Sequence, residues 1–388
     1  MTTPASTRTL LSDLRPVYVV GIGLHRYQRA TDTSFVDLGL TAVRAALDDS
    51  GVPWTSVETA YTGSTRLGMA VSRPLLRHLG VTGIPMTQVE NASASGSSAF
   101  RLAVRDIAAG FADVAIALGV DKAAPGVRAE TMTGVAPHDE GLTTPPVHFA
   151  LLAEEYLRSR GAGAEDLARV AVKNHGNAAD NPFAHRQQRR TIDEILADRP
   201  IAGVLTRLEC CPVGEGAAAV VVVSERAMAE LGIEPARAVR VLSSVQQSEQ
   251  LYGTRSYDAE LTGATTEQAL SEAGIGAADL DVVELHDAFA IEELQYLETM
   301  GICEEGAAPS CLRDGEFDIG GRVAVSPSGG LLAMGHPIGP TGVGQIAEIT
   351  RQLRGDAGVR QQPRAEFGLA HLVGLGAVCV THVLAAPA

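Results

Sequence analysis

Runs of β-branched and apolar residues alternate along the chain with stretches whose apolar positions recur at helical spacing. Residues 15–22 (RPVYVVGI) predict a strand, and residues 34–50 (SFVDLGLTAVRAALDDS) predict an amphipathic helix closed by Gly51. Residues 57–63 and 87–90 predict two further short strands, the second ending at a turn that opens a long helix over 93–111. Residues 113–119 (DVAIALG) form the unbroken apolar run of a strand buried on both faces. This alternation predicts an α/β fold with a largely parallel, covered sheet.

The pattern then echoes itself. Residues 46–58 read ALDDSGVPWTSVE and residues 269–281 read ALSEAGIGAADLD. Helix end, glycine cap, loop and strand recur at a constant offset of 223 residues (46 to 269). A glycine- and serine-rich turn, a helix over 339–353 and strands over 367–372 and 377–384 follow in the second copy. Two related halves are expected, about 1–235 and 236–388. The stretch 122–205, rich in Gly, Pro, His and Arg, interrupts the first and reads as an inserted cap or loop domain, where ligand contacts tend to sit.

Composition narrows the function classes. The 388 residues fit two domains at roughly 150 residues each, and 45% hydrophobic content excludes a disordered chain. With 31 Lys+Arg against 46 Asp+Glu, the net charge of -15 speaks against a phosphate-tracking nucleic-acid binder, while leaving room for a local basic patch. No apolar run reaches about 18 residues, so no membrane-spanning helix is expected. The first residues lack a cationic start followed by a long apolar stretch, so no secretory leader is expected. Cys210 and Cys211 are adjacent, and Cys303, Cys311 and Cys379 are scattered. That is neither a disulfide framework nor a zinc pattern, and a cytoplasmic location is expected.

Four segments carry candidate chemistry. Residues 91–100 (NASASGSSAF) join a strand to the long helix, where a side chain meets the positive end of the helix dipole. Ser93 or Ser95 is the candidate nucleophile there; the plain alternative is a serine-rich helix cap. In residues 331–344 (LLAMGHPIGPTGVG), His336 sits in a Gly/Pro loop and is poised as general base or oxyanion donor. In residues 283–293 (VELHDAFAIEE), a buried strand ends in His286 and Asp287, where α/β folds place ligands, although Asp287 also suits a helix cap. In residues 368–376 (GLAHLVGLG), His371 is a candidate of equal standing with a hydrogen-bonded core histidine. Gly21-Ile-Gly23 lacks the third glycine and the acidic residue of a dinucleotide site, no phosphate-binding loop occurs, and no His/Cys pair has metal spacing. His175 reads as a loop or cap residue.

Together, GHPIGPTG (335–342), HDAF (286–289), the small-residue turn before the long helix and VKNHGNAADNP (172–182) resemble the thiolase superfamily. Within it they are most similar to the sterol-carrier-type and archaeal-type branch, where HDAF or HDCF replaces the NEAF of ordinary thiolases. The similarity runs from the first strand to GAVCVTHVL (376–384). It implies an α/β, duplicated thiolase fold of five layers, αβαβα, with an inserted loop domain. It also implies a homodimer and chemistry on coenzyme A thioesters, with no covalently bound cofactor and no metal. Several relatives of this branch work with a small zinc-ribbon/OB-fold protein, so such a partner is expected alongside acyl-CoA. By the resemblance, Ser93 falls where the family has its nucleophilic cysteine. His336 matches the histidine that activates it, and His286 the residue that completes an oxyanion hole. The backbone amide of Gly376 or a neighbour lies in the last loop. Asp287, Gly335, Ser328 and His371 complete the candidate oxyanion or substrate-binding set.

The departures matter as much. Position 93 is Ser, Leu372 stands where many thiolases carry a second cysteine, and Ala288 stands where HDCF enzymes place theirs. A serine hydroxyl is a far poorer nucleophile than a thiol unless a base takes its proton. Three readings follow. One is thiolysis or Claisen acyl transfer on a 3-ketoacyl-CoA, with Ser93 an engineered or natural replacement of cysteine. The second is retro-aldol cleavage of a hydroxyacyl-CoA, which needs a base and an enolate holder but no nucleophile. The third is a non-catalytic CoA-binding subunit.

Overall fold

A computed structural model describes residues 9–123, 144–250, 257–374 and 378–387. The chain opens with β1 (Val17–Gln28), α1 (Phe35–Ser50), β2 (Thr59–Gly63), α2 (Ser72–Leu76), β3 (Met86–Val89), α3 (Ser95–Ala109) and β4 (Val114–Asp121). An excursion follows, built from α4 (Pro145–Arg160), α5 (Ala164–Ala179), α6 (Ile192–Leu196) and a small ribbon of β5 (Pro200–Ala202) and β6 (Leu205–Thr206). The chain returns through β7 (Glu215–Ser224) and α7 (Glu225–Glu230). The second half holds β8 (Val239–Ser248), α8 (Tyr257–Ala273), β9 (Val282–Glu284), α9 (Ala290–Thr299), α10 (Ala308–Arg313), β10 (Ala324–Val325), α11 (Ile338–Leu353), β11 (Phe367–Gly374) and β12 (Val378–Ala385).

Strand order reveals the duplication. One five-stranded sheet runs β3-β2-β4-β7-β1 and the other β10-β9-β11-β12-β8. Each has two parallel pairs followed by two antiparallel ones, and the sheets meet where Tyr18 and Val19 pair with Arg240 and Val239. The echo at offset 223 survives in three dimensions. Gly51 and Gly274 both cap helices at positive φ (69° and 74°), and 3-10 turns follow at Trp54–Ser56 and Ala277–Asp279. The sheets are mixed, which corrects the expectation of a largely parallel one. The short link between β11 and β12 permits only antiparallel pairing, because a parallel partner needs a long crossover.

Five layers result. Along β7, Val220 and Val222 face the middle of the molecule, whereas Val221 and Val223 face outward onto α1. That two-sided burial explains the uninterrupted valine run. Leu38, Val43 and Leu47 of α1 cover the outer face of the first sheet, and Leu261 and Leu270 of α8 cover that of the second. Between the sheets lie α3 and α11, whose Phe100, Ile107, Val343 and Ile346 share a core with strands of both.

Glycines set how closely these layers approach. A Cβ on Gly21 or Gly23 would stand 2.2 or 2.1 Å from the carbonyl oxygens of Ala46 and Ala42, so β1 lies directly against the α1 backbone. A Cβ on Gly96 would meet the Gly339 carbonyl at 2.5 Å, and one on Gly342 would meet Ser97 Oγ at 2.1 Å. The first turns of α3 and α11 therefore touch backbone to backbone. Whatever side chain precedes each helix is thrown toward the other.

Candidate active site

Ser93 precedes α3 and His336 precedes α11, and the helix contact brings Ser93 Oγ to 2.9 Å from His336 Nε2 across 243 residues of sequence. Both side chains are largely buried, each at 8% exposure. Ala92, just before Ser93, holds a left-handed φ of 48°, unfavourable for a residue with a Cβ and the kind of strain that collects at functional turns. Ser95, the other candidate nucleophile, is fully buried: its hydroxyl donates to the Ala92 carbonyl at 2.6 Å and accepts from the Asn91 N–H at 2.9 Å. It braces the turn and has no proton to spare.

The hydrogen bonds around His336 select its tautomer. Thr341 Oγ1 donates to the Pro337 carbonyl at 2.6 Å, so toward His336 Nδ1, 2.8 Å away, it can only accept. Nδ1 therefore carries the hydrogen, and Nε2 presents a lone pair to the Ser93 hydroxyl. Burial, then His286, then Arg66 push His336 well below the ordinary imidazole range, so the ring is neutral. This is the arrangement of a nucleophile with a general base.

His286 stands beside this pair, its ring 5.5 Å from that of His336 and nearly perpendicular to it. Its Nδ1 lies 2.7 Å from Glu292 Oε1, and Glu292 also accepts from the Phe289 N–H and the Tyr296 hydroxyl. The other nitrogen, Nε2, is buried with no hydrogen-bond partner among the described residues. With Nδ1 oriented by Glu292, Nε2 is the ring atom left to meet a developing oxyanion beside Ser93 and His336.

The remaining candidates among the described residues are held in place by the loops and strands around them. Asp287 is not a helix cap, since Phe289 holds that position before α9. It is wholly buried, accepting from the Leu331 N–H at 2.6 Å and the Asn174 amide at 2.8 Å, with its carboxyl pushed well up by burial and by Glu293. Ser328 is held by Glu284, to which its N–H and hydroxyl both donate, at 2.8 and 2.7 Å. Gly335 holds a φ of 110°, which turns the chain into His336. His371 is a core histidine whose Nδ1 accepts from the His286 N–H at 3.4 Å while its Nε2 lies 3.0 Å from Thr262 Oγ1. Gly376 lies outside the described residues.

The VKNHGNAADNP segment has a structural task. Lys173, Asn177 and Asn181 donate to the carbonyls of Val325, Ser326 and Ser328, at 2.7, 3.1 and 2.8 Å, fastening the loop that leads to His336. His175 is neither loop nor cap but lies inside α5, buried, with Nε2 3.4 Å from the Leu208 carbonyl.

Other residues at the site have no local signature in the sequence. Asp121 accepts from Ser64 Oγ at 3.0 Å, from the N–H of Arg66 at 2.9 Å and from that of Gly339 at 2.6 Å, tying the Arg66 loop to the start of α11. The segment carrying Cys211 threads between the two histidine loops: the Cys211 N–H donates to the Ala288 carbonyl at 2.7 Å, and the Pro212 carbonyl accepts from the His336 N–H at 3.4 Å. Burial pushes the Cys211 thiol far up, which keeps it protonated. Among the described residues, no group of three or more His, Cys, Asp or Glu side chains is placed to hold a metal ion, and no helix is long and apolar enough to cross a membrane.

Comparison with known proteins gives the family. The family model for the thiolase N-terminal domain matches residues 24–226, and that for a thiolase C-terminal domain-like region matches residues 244–386. The chain is 38% identical to the benzoylsuccinyl-CoA thiolase subunit BbsB of Thauera aromatica, over 93% of this chain and 95% of the relative. It is 35% identical to sterol carrier protein 2 of Gallus gallus, over 95% of this chain and 71% of the relative. Among solved structures, the Ltp2-ChsH2(DUF35) aldolase superposes with a TM-score of 0.81 at 25% identity, covering 98% of this chain and 99% of the other.

Proposed function

The chain belongs to the thiolase superfamily, and from that premise we propose that it is an acyl-CoA C-acyltransferase acting on a 3-ketoacyl-CoA, by thiolysis or by Claisen condensation, with Ser93 as the acyl acceptor. The observation that carries the reading is the 2.9 Å contact between Ser93 Oγ and a neutral His336 whose lone pair faces it. In thiolysis Ser93 Oγ attacks the 3-keto carbon as His336 Nε2 takes its proton. The C2–C3 bond then breaks, its electron pair passes to an enolate held by His286 Nε2–H, and the proton on His336 returns to C2. The thiol of free CoA attacks the Ser93 ester, giving its proton to His336, which returns it to Ser93 Oγ. Condensation is the reverse. A homodimer, a cytoplasmic location, a small zinc-ribbon/OB-fold partner and a division into halves near residue 235 belong to the same proposal.

A second reading is retro-aldol cleavage of a hydroxyacyl-CoA. The likeness to an aldolase that carries a DUF35 partner favours it, as does the absence of cysteine at positions 93, 288 and 372. His336 would then take the β-hydroxyl proton and His286 hold the enolate. Intact-mass measurement on the wild type, Ser93→Ala and Ser93→Cys, each given 3-ketoacyl-CoA and CoA, separates the readings. The expected result is an acyl adduct on the wild type and the Cys form and none on the Ala form. Absence of any adduct, with aldehyde or ketone released from a hydroxyacyl-CoA, replaces the first reading by the second. Turnover of no CoA ester leaves a non-catalytic subunit.

A further inference from the structure

Acyl transfer moves a proton at Ser93 Oγ and another at C2 of the substrate. His336 Nε2 stands 2.9 Å from Ser93 Oγ, and its Nδ1–H is spent on Thr341. Its single lone pair would have to serve both atoms. A second imidazole stands beside it, with ring centroids 5.5 Å apart. His286 Nδ1 lies 2.7 Å from Glu292 Oε1, and both side chains are buried. Glu292 is an acceptor throughout. Its Oε2 accepts from the Phe289 N–H at 2.8 Å, and its Oε1 from the Tyr296 hydroxyl at 3.2 Å, which burial and then Glu292 keep protonated. A carboxylate so placed accepts from Nδ1–H as well and fixes a hydrogen on that nitrogen. The backbone of His286 is held too, since its N–H donates to His371 Nδ1 at 3.4 Å. His286 Nε2 is left buried with no hydrogen-bond partner among the described residues. A carboxylate behind one ring nitrogen and an open second nitrogen make up an acid/base dyad.

We propose that His286 and Glu292 form a second dyad that serves C2 of the substrate, with Glu292 as its positioning residue, while His336 serves Ser93 alone. When the C2–C3 bond breaks, its electron pair forms the enolate, and the Nε2–H that holds the enolate oxygen passes its proton to C2. His286 keeps its hydrogen on Nδ1 and gains a lone pair on Nε2. The thiol of free CoA then attacks the Ser93 ester and gives its proton to that lone pair. Ser93 Oγ departs and takes back the proton that His336 Nε2 has held since the first attack. Each histidine ends as it began. In condensation His286 Nε2 takes the C2 proton and so becomes the donor that holds the enolate it has made. The inference rests on the acyl-CoA reading above and deepens it, taking from His336 the transfer to C2.

Exchange of the C2 hydrogens of acetyl-CoA in D2O, followed by ¹H NMR, tests the assignment, because it needs an enolate and no acyl acceptor. The background is Ser93→Ala, in which acyl transfer is silent and the exchange is expected to persist. Adding His286→Asn, whose amide still offers a donor to the enolate oxygen, should slow exchange at least about 100-fold. Adding Glu292→Gln should slow it at least about tenfold. Acetyl-CoA affinity within about twofold of the background, at an unchanged melting temperature, shows that proton transfer is lost and the site is kept. Exchange that survives His286→Asn overturns the assignment, as does its absence from the Ser93→Ala background. A Glu292→Gln rate within about twofold of the background removes Glu292 from the dyad and overturns it as well. An acyl adduct on wild-type Ser93 reports separately on the acyl-transfer reading, whose failure leaves the exchange result standing.

Discussion

Replacing Thr341 by Val tests whether His336 is a base because of its tautomer. The substitution keeps the shape of the side chain and removes the oxygen that accepts from His336 Nδ1 at 2.8 Å. Without that acceptor, Nδ1–H is buried and unsatisfied, a cost of about 1–3 kcal/mol. The ring can escape by moving its hydrogen to Nε2, where it would donate to Ser93 Oγ rather than accept from it. At 1.4 kcal/mol per factor of ten, the population of the competent tautomer, and with it the rate of Ser93 acylation, should fall about 10- to 100-fold. Single-turnover acylation followed by intact mass gives the rate, and ¹⁵N NMR of the imidazole gives the tautomer. Thr341→Ser keeps the oxygen and should restore both. Thr341 also donates to the Pro337 carbonyl at 2.6 Å, so some loss of stability is expected and is measured separately by thermal melting. An acylation rate for Thr341→Val within twofold of wild type refutes the reasoning. So does a loss shared equally by Thr341→Ser.

Two further outcomes concern the scaffold that holds the histidine loops. Burial first, then Glu348, raises Glu284 to about 8, so the folded chain keeps a proton there that the unfolded chain releases from about pH 4.5. Its stabilising contribution is complete below the unfolded value and is lost as pH rises to about 8, at roughly 1.4 kcal/mol per pH unit. Glu284→Gln should lack this slope, and urea denaturation of both proteins from pH 5 to 8 checks it; parallel curves would show that Glu284 is ionised in the fold. Lys173→Met leaves Glu293, 3.1 Å away and fully buried, without its cation, and should cost roughly 3–5 kcal/mol. Adding Glu293→Gln should recover most of that, and a single-variant loss below about 1 kcal/mol would mean the pair contributes little.

Much of the architecture is legible in the residues. Strand and helix positions follow from apolar spacing, because a side chain's burial depends on the face it occupies within its own element. The helix over Phe35–Ser50 begins at a serine whose Oγ accepts from the Asp37 N–H and ends at a left-handed Gly51, as the local pattern predicts. The duplication is visible for the same reason: two copies of a cap, a turn and a strand need the same residue types at the same offsets. Sheet direction is less legible, since an apolar run serves a parallel or an antiparallel neighbour equally well. Motif glycines are ambiguous too. Gly339 and Gly342 belong to a segment that suggests a ligand loop, yet Gly342 is small because Ser97 of α3 lies against it, and Gly339 because the end of β2 and Asp121 do.

By itself, then, the sequence determined the family, the α/β elements, the repeat and the two histidine motifs, all of which rest on residues within a few positions of one another. Tertiary structure decided which of those residues meet. Ser93 rather than Ser95 faces His336, because two glycine-lined helix starts touch across the middle layer. Asp287, Ser328 and His371 turn inward as props, because the loop and strand around them need buried partners. None of the five cysteines stands at position 93, 288 or 372, but folding draws the segment of Cys211 between the two histidine loops. Arg26 and Arg29, at the end of β1, come to share one hollow with Arg186 and Arg207. Such contacts depend on how layers stack at a distance, and residue-to-residue spacing along the chain carries no record of that stacking.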